Sequence, residues 1–246
     1  MIEFLQPEWE VPAAVRAFVT TRAGGYSEGP YAGFNLGQHV GDDDSHVARN
    51  RAELVKALSL PQEPSWIRQT HSTQAVVLEQ ESHREADAAI TRKPGMVAVI
   101  MTADCLPIML CDREGSEVAA LHAGWRGLQG GIIDATLERM QTPNSELQAW
   151  IGPGISQENF EVGDEVYAAF VESIDSCEGF FVPHGAGHWL CDLPGIAQHV
   201  LERQGITGVT RDPHCTYRDE SMFYSYRRDG ITGRMASLIW INPEVN

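Results

Sequence analysis

Hydrophobic positions along the chain fall mostly into short runs at strand spacing, separated by a few stretches at helical spacing. Residues 15–21 (VRAFVTT) alternate towards β-branched and aromatic types and predict a strand. The same reading predicts strands over 65–69, 74–79, 96–102, 107–111, 117–123, 147–151 and 234–241, the last of them buried. Helical spacing runs through about 58, where Val47, Leu54, Val55 and Leu58 share a face and Asp42, Asp43, Asp44 and Ser45 offer caps and first-turn acids. A second helix is predicted over 129–140, with Ile132, Ile133, Leu137 and Met140 as its apolar face. Further helices are predicted over 164–173 and 194–204, the latter closed by Gly205. Residues 22–37 are too rich in glycine and turn formers for regular structure, and a loop that long inside a compact domain points to function. Strands and helices alternate irregularly and many strands are joined by hairpin-like turns. That pattern fits a mixed-sheet α+β domain better than a regular βα barrel.

Composition narrows the function classes. Hydrophobic residues make up 43% of the 246, enough for a sizeable core, and no linker or low-complexity tract divides the chain, so one domain over 1–246 is expected. The apolar runs are too short to span a bilayer, and the acidic N-terminus lacks the basic and apolar regions of a secretory signal. A cytoplasmic protein is expected. A formal charge of −16 repels nucleic-acid phosphates and anionic lipid. The expected partner is a small molecule, and a local basic pocket can still admit an anionic one. Cys105, Cys111, Cys177, Cys191 and Cys215 are odd in number and form no CxxC, which in a reducing compartment means free thiols.

The chemistry gathers in one stretch, residues 97–131, where polar and reactive side chains sit at the ends of buried strands. His71, Cys105 and His122 each follow or end an apolar strand. Two imidazoles and a thiolate make a sound zinc set, and three protein ligands leave a fourth position for water or substrate. The same atoms allow a metal-free reading, with Cys105 as nucleophile and His122 as its base. Asp87 is placed near the same cavity, and Asp104 either orients the strand end or a ligand or caps a turn. The glycine-flanked loop 124–127 serves equally as an anion-holding turn or as a tight turn that needs glycine. Arg227 and Arg228 offer guanidinium forks for a phosphate, or a solvated surface pair. The other seven histidines are scattered, and no His-x-His pair occurs, which argues against a multicopper oxidase.

The segments TTRAGG (20–25), NLG (35–37), NR (50–51), QTH (69–71), TADCLP (102–107), HAGWRG (122–127), IGP (151–153), CT (215–216) and FYSYRRDG (223–230) together resemble the YfiH family, whose members are described as laccase-domain proteins, purine nucleoside phosphorylases and peptidoglycan editing factors. The resemblance covers nearly the whole chain in order, and TADCLP with HAGWRG is its most specific part. It implies a four-layer α/β/β/α fold with mixed sheets, similar to cysteine hydrolases, and a zinc site at His71, Cys105 and His122, with copper as an adventitious occupant. It also implies one of several activities. The first is phosphorolysis of adenosine, inosine and methylthioadenosine together with deamination of adenosine. The second is an amidase that releases L-serine from a UDP-muramyl precursor; polyphenol oxidation ranks lowest among the enzymes. A non-enzymatic zinc module would need a fourth protein ligand, from Cys215 or Asp104. For substrate, Asn35, Arg126 and Arg227 are the candidate contacts, the two arginines for phosphate.

Overall fold

The computed structural model describes residues 1–245; residue 246 of the expected domain span lies outside the described residues. In chain order the elements begin with β1 (Phe4–Leu5), β2 (Val15–Thr20), α1 (Asp44–Ala57), β3 (Ser65–Trp66), β4 (Ala75–Val77), β5 (Ala88–Thr91), β6 (Ala98–Thr102), β7 (Leu106–Asp112) and β8 (Val118–Ala123). They continue with α2 (Trp125–Gln129), α3 (Ile132–Leu137), β9 (Leu147–Ile151), β10 (Glu161–Gly163), α4 (Asp164–Ser173), β11 (Phe181–Pro183), β12 (His188–Cys191), α5 (Leu193–Arg203), β13 (Gly208–Arg211), α6 (Tyr226–Asp229) and β14 (Met235–Ile241).

Two mixed sheets carry the fold. One has the order β1-β2-β14-β6-β3, the other β13-β9-β7-β8-β5-β4, and a small sheet β10-β12-β11 stands apart. Val15, Ala17, Ile100 and Ile239 of the first sheet pack against Val76, Ala89, Met109, Ala120 and Trp150 of the second. The outer face of the second sheet packs on α3, α4 and α5 through Ile132, Ile133, Phe170, Ile196 and Leu201. The outer face of the first is covered by Leu54 of α1 and by Phe34 and Leu36 of the long loop. The layers therefore run helix, sheet, sheet, helix, as expected. Strands β6, β7 and β8 are buried along their whole length because both of their faces are covered.

Asp43 caps α1, its carboxylate accepting from the backbone N–H of Ser45 at 2.7 Å. The helix expected over 129–140 is instead two short ones, broken where Gly131 takes φ 94°. The strand expected over 65–69 is regular only at 65–66. The loop 22–37 satisfies its polar groups through fixed partners. Asn50 accepts from Tyr26 N and donates to Asn35 O, and the Tyr224 hydroxyl donates to Tyr31 O at 2.9 Å.

Candidate metal centre

Strand register builds the site. In the antiparallel pair β7/β8, Pro107 lies opposite His122, so Cys105, two residues earlier, falls beside Gly124. In β5/β8, Ala88 lies opposite Leu121, which brings Asp87 to His122, whose N–H donates to the Asp87 carbonyl at 2.7 Å. Along β8, Val118 and Ala120 face the other sheet, and His122 continues that alternation at the strand's end. His71 arrives from a third segment, the loop between β3 and β4, in the left-handed region at φ 58°.

One nitrogen or sulfur from each of His71, Cys105 and His122 lies within 4.8 Å of the others. Cys105 Sγ is 3.9 Å from His71 Nε2, and the two imidazole rings meet edge to face at 4.8 Å. His122 is 4% exposed, whereas His71 is exposed and Cys105 half-buried, so the cluster opens outward on one side.

Asp87 holds this geometry. Fully buried, its carboxylate accepts from His122 Nδ1 at 2.8 Å, from the backbone N–H groups of Thr70, His71 and Ser72 at 3.1, 3.0 and 2.7 Å, and from the Ser72 hydroxyl at 2.7 Å. One buried acid thus fixes both histidines. It keeps the His122 proton on Nδ1 with Nε2 free, and it pins the strained turn that carries His71. Burial alone would raise the Asp87 pKa, but the bonds from His122 and Ser72 outweigh it and hold it down to about 2. Burial opposes charge on Cys105 as well. His122 and His71 overcome it and bring the thiol to about 6, while Cys105 and Asp87 drive His122 up to about 9 against its own burial.

In the metal-free protein these shifts favour a Cys105 thiolate beside a protonated His122, whose Nε2 proton a metal would displace. Iodoacetamide is expected to alkylate Cys105 of metal-stripped protein with a midpoint near pH 6, and metal loading is expected to block the reaction. Burial pushes Cys111 to about 12 and Cys177 to about 11, so those thiols should stay unmodified in the folded protein. Peptide mapping after alkylation across pH 5–9 checks both expectations.

The two proposed fourth ligands are engaged elsewhere. Asp104 accepts from the Thr216 hydroxyl and from Arg227 N, each at 2.7 Å, and Cys215 Sγ accepts from the Ser156 hydroxyl at 3.0 Å. Asn35, fully buried, commits its amide to Gly37, Asp42 and Arg234 within the loop, and so is placed away from any open surface. Arg126 is exposed and stacks on Trp125 at 4.3 Å. Arg227 lies over Phe160 at 5.2 Å with Nη1 donating to Glu161 O. Arg227 lines a small cleft of about 120 Å³ with apolar walls from Trp125, Ile155, Phe160, Leu193 and Tyr226, and Cys105 forms part of its wall.

A family model described as multi-copper polyphenol oxidoreductase laccase matches residues 16–242, and the chain is 41% identical to the purine nucleoside phosphorylase YfiH of Escherichia coli over 98% of its own length and all of the relative's. The chain belongs to the YfiH family. A Pseudomonas aeruginosa relative, also named a purine nucleoside phosphorylase, is 44% identical across 98% of the chain and 99% of its own length. Among solved structures, a Neisseria meningitidis protein matches with a TM-score of 0.93 at 44% identity, covering 97% of this chain and 99% of that one. Bacillus licheniformis YfiH matches at 0.86 and 28%, covering 93% of each chain.

In this YfiH-family site the donor set and the surrounding space both suit a metal ion. Donors around a tetrahedral zinc stand roughly 3.5 Å apart, close to the spacing between Cys105 and His71. Gly124 leaves the room, since a Cβ there would come within 2.9 Å of both Cys105 Sγ and His71 Cδ2. Gly124→Ala is therefore expected to weaken metal binding by roughly 10-fold or more while the melting temperature of the metal-free protein changes little, as measured by chelator competition and thermal unfolding. Sequence reading placed Asp87 near the trio but assigned no role to Gln69. Gln69 brackets Met101, donating to its carbonyl at 2.8 Å and accepting from its N–H at 2.7 Å, and so ties the His71 loop to the end of β6. Its position in the QTH segment was the available signal.

Proposed function

We propose that this chain is a zinc-dependent purine nucleoside phosphorylase acting on adenosine, inosine and methylthioadenosine, with adenosine deamination as a second reaction of the same centre. The observation that carries the reading is the cluster of His71, Cys105 and His122 opening beside an aromatic cleft, in a chain whose relatives are named purine nucleoside phosphorylases. His71 Nε2, Cys105 Sγ and His122 Nε2 would hold the ion. A bound zinc supplies Lewis acidity to stabilise developing negative charge, or lowers the pKa of water for hydrolysis at the purine C6. Copper fits the same donors and the laccase description of the family model, but the chain lacks the His-x-His pairs a copper cluster needs.

The remaining work falls to the protein. Trp125, Phe160 and Tyr226 give flat apolar surfaces for a purine ring, Arg227 lines the cleft, and Arg126, exposed and stacked on Trp125, is a second candidate for a substrate's polar groups. Asp87 keeps His122 in one tautomer, so the centre does not reorganise during the reaction. In phosphorolysis a phosphate oxygen bonds to C1′ of the ribose as the C1′–N9 bond breaks. The electron pair leaves with the purine, which takes up the proton that the attacking hydrogen phosphate gives up, relayed through water.

The test is product analysis of zinc-loaded protein given adenosine, with and without phosphate, beside His71→Ala and Cys105→Ala. Adenine and ribose 1-phosphate that require phosphate establish phosphorolysis, and inosine without phosphate establishes deamination. No product above the two variants would remove the nucleoside reading and turn the test to serine release from UDP-muramyl-L-serine.

A further inference from the structure

Two arginines with free donor edges pack against the loop Asn35-Leu36-Gly37. Arg51 and Arg234 are both half-buried, yet neither has a carboxylate within ion-pair distance. Other half-buried arginines are more fully engaged: Arg92 pairs with Glu117 at 2.6 Å and Arg228 with Asp229 at 2.8 Å, whereas Arg16, Arg22 and Arg84 have no carboxylate partner and donate to backbone carbonyls. In a chain with 34 acids and 18 bases, acid partners are plentiful. The unpaired N–H groups of Arg51 and Arg234 reach solvent and are open to a ligand's anionic oxygens.

Both side chains are held rigidly along one edge only. Arg51 donates through Nε and Nη2 to Leu36 O at 3.0 and 2.8 Å and stacks on Trp66 at 3.8 Å, with Nη2 3.9 Å from Met101 Sδ. Met101 is the residue bracketed by Gln69, two positions before His71. Arg234 donates through Nη1 to Thr232 O and Gly233 O, and Gly37 packs so closely on its stem that a Cβ there would lie 2.9 Å from Cγ. Arg51 Nη1 and Arg234 Nε and Nη2 have no protein acceptor among the described residues. His39 sits on the same loop. Partial desolvation lowers its pKa, and the charges of Arg234, Arg51, His122 and His71 lower it further.

We infer that Arg51 and Arg234 form an oxyanion subsite that holds a phosphate group of the substrate beside His71, Cys105 and His122. Planar guanidinium forks match phosphate oxygens, and neutral His39 adds a hydrogen-bonding group at the rim. The phosphate has two chemical sources: inorganic phosphate, as phosphorolysis requires, or the diphosphate of a nucleotide-linked substrate. The first source rests on the phosphorylase reading above, whereas the subsite itself does not.

The experiment is calorimetric titration of metal-loaded protein with inorganic phosphate and, separately, with uridine diphosphate. Wild type is compared with Arg234→Met, Arg234→Lys and Arg51→Lys, each checked for an unchanged melting transition. Arg234→Met is expected to weaken phosphate binding roughly 10- to 100-fold and to raise the KM for phosphate to match, with the nucleoside KM within about 3-fold; Arg234→Lys recovers part of the loss. If wild type ignores inorganic phosphate but binds uridine diphosphate in an Arg234-dependent way, the subsite stands and phosphorolysis falls. Equal anion affinity in wild type and variants, or no anion binding by wild type, overturns the subsite whatever the activity proves to be.

Discussion

Cys105→Ser and His71→Ala are each expected to lose tight metal binding and, with it, on the order of a thousandfold in nucleoside turnover. The reasoning begins with donor chemistry. Removing one of three donors leaves two protein ligands, and the lost Lewis acidity amounts to several kcal/mol of transition-state stabilisation. The hydroxyl of serine stays protonated near neutral pH, whereas the Cys105 thiol is held at about 6 by His122 and His71 and is a thiolate before any metal arrives. Metal analysis after dialysis, run beside product assays, separates the two readings of the trio. Loss of metal and activity together in both variants supports a metal centre. Retention of metal with activity lost only in Cys105→Ser would instead support the thiol as nucleophile, with His122 as its base.

What the sequence made legible follows from which signals are local. The buried strands β6, β7 and β8 are long apolar runs, and their ends coincide with Asp104-Cys105 and His122-Ala123, so the inner strands of the two sheets and two members of the trio could be placed from pattern alone. Asp43 as a cap is a local signal of the same kind. The two-residue strand β3 and the isolated bridge from Arg68 to Glu85 depend on partners far along the chain, and the periodicity of 65–69 overstated them. The helix expected over 129–140 failed at Gly130-Gly131, where a left-handed glycine outweighs an apolar face that otherwise continues.

The site residues divide in the same way. Ligand types announce themselves, but the groups that position them do not. Asn35 reads as a substrate contact because it stands in a motif, and the fold uses it to close a loop around Arg234 N and Gly37 N. Arg51 and Arg234 lie 183 positions apart in sequence and carry no motif for phosphate; only the packing of both against Leu36 and Gly37 brings them together. Asp87 was anticipated near the cavity, yet its five incoming hydrogen bonds come from residues 70–72 and 122, a convergence that only register reveals.

Asp87→Asn is expected to damage both stability and metal affinity, because one oxygen would be replaced by an amide that meets donors with a donor. At the Oδ2 position Asp87 receives Thr70 N, Ser72 N and the Ser72 hydroxyl, and at Oδ1 it receives His71 N and His122 Nδ1. Either orientation of the asparagine leaves buried N–H groups facing one another, which costs about 3–5 kcal/mol when a buried charged partner is lost. The His122 proton is no longer fixed on Nδ1, so metal affinity should fall roughly 10- to 100-fold beyond the effect of unfolding. The pH dependence has a definite sign. Asp87 is depressed from 3.8 to about 2 in the folded protein, so its contribution of roughly 2 kcal/mol is present above pH 4 and disappears as pH falls towards 2. Denaturant titration of the metal-free protein between pH 2 and 7 should therefore show wild type losing stability over that acid window and Asp87→Asn lacking this component. A variant whose acid limb matches wild type, with metal affinity unchanged, would show that His122 and the His71 turn are held without Asp87.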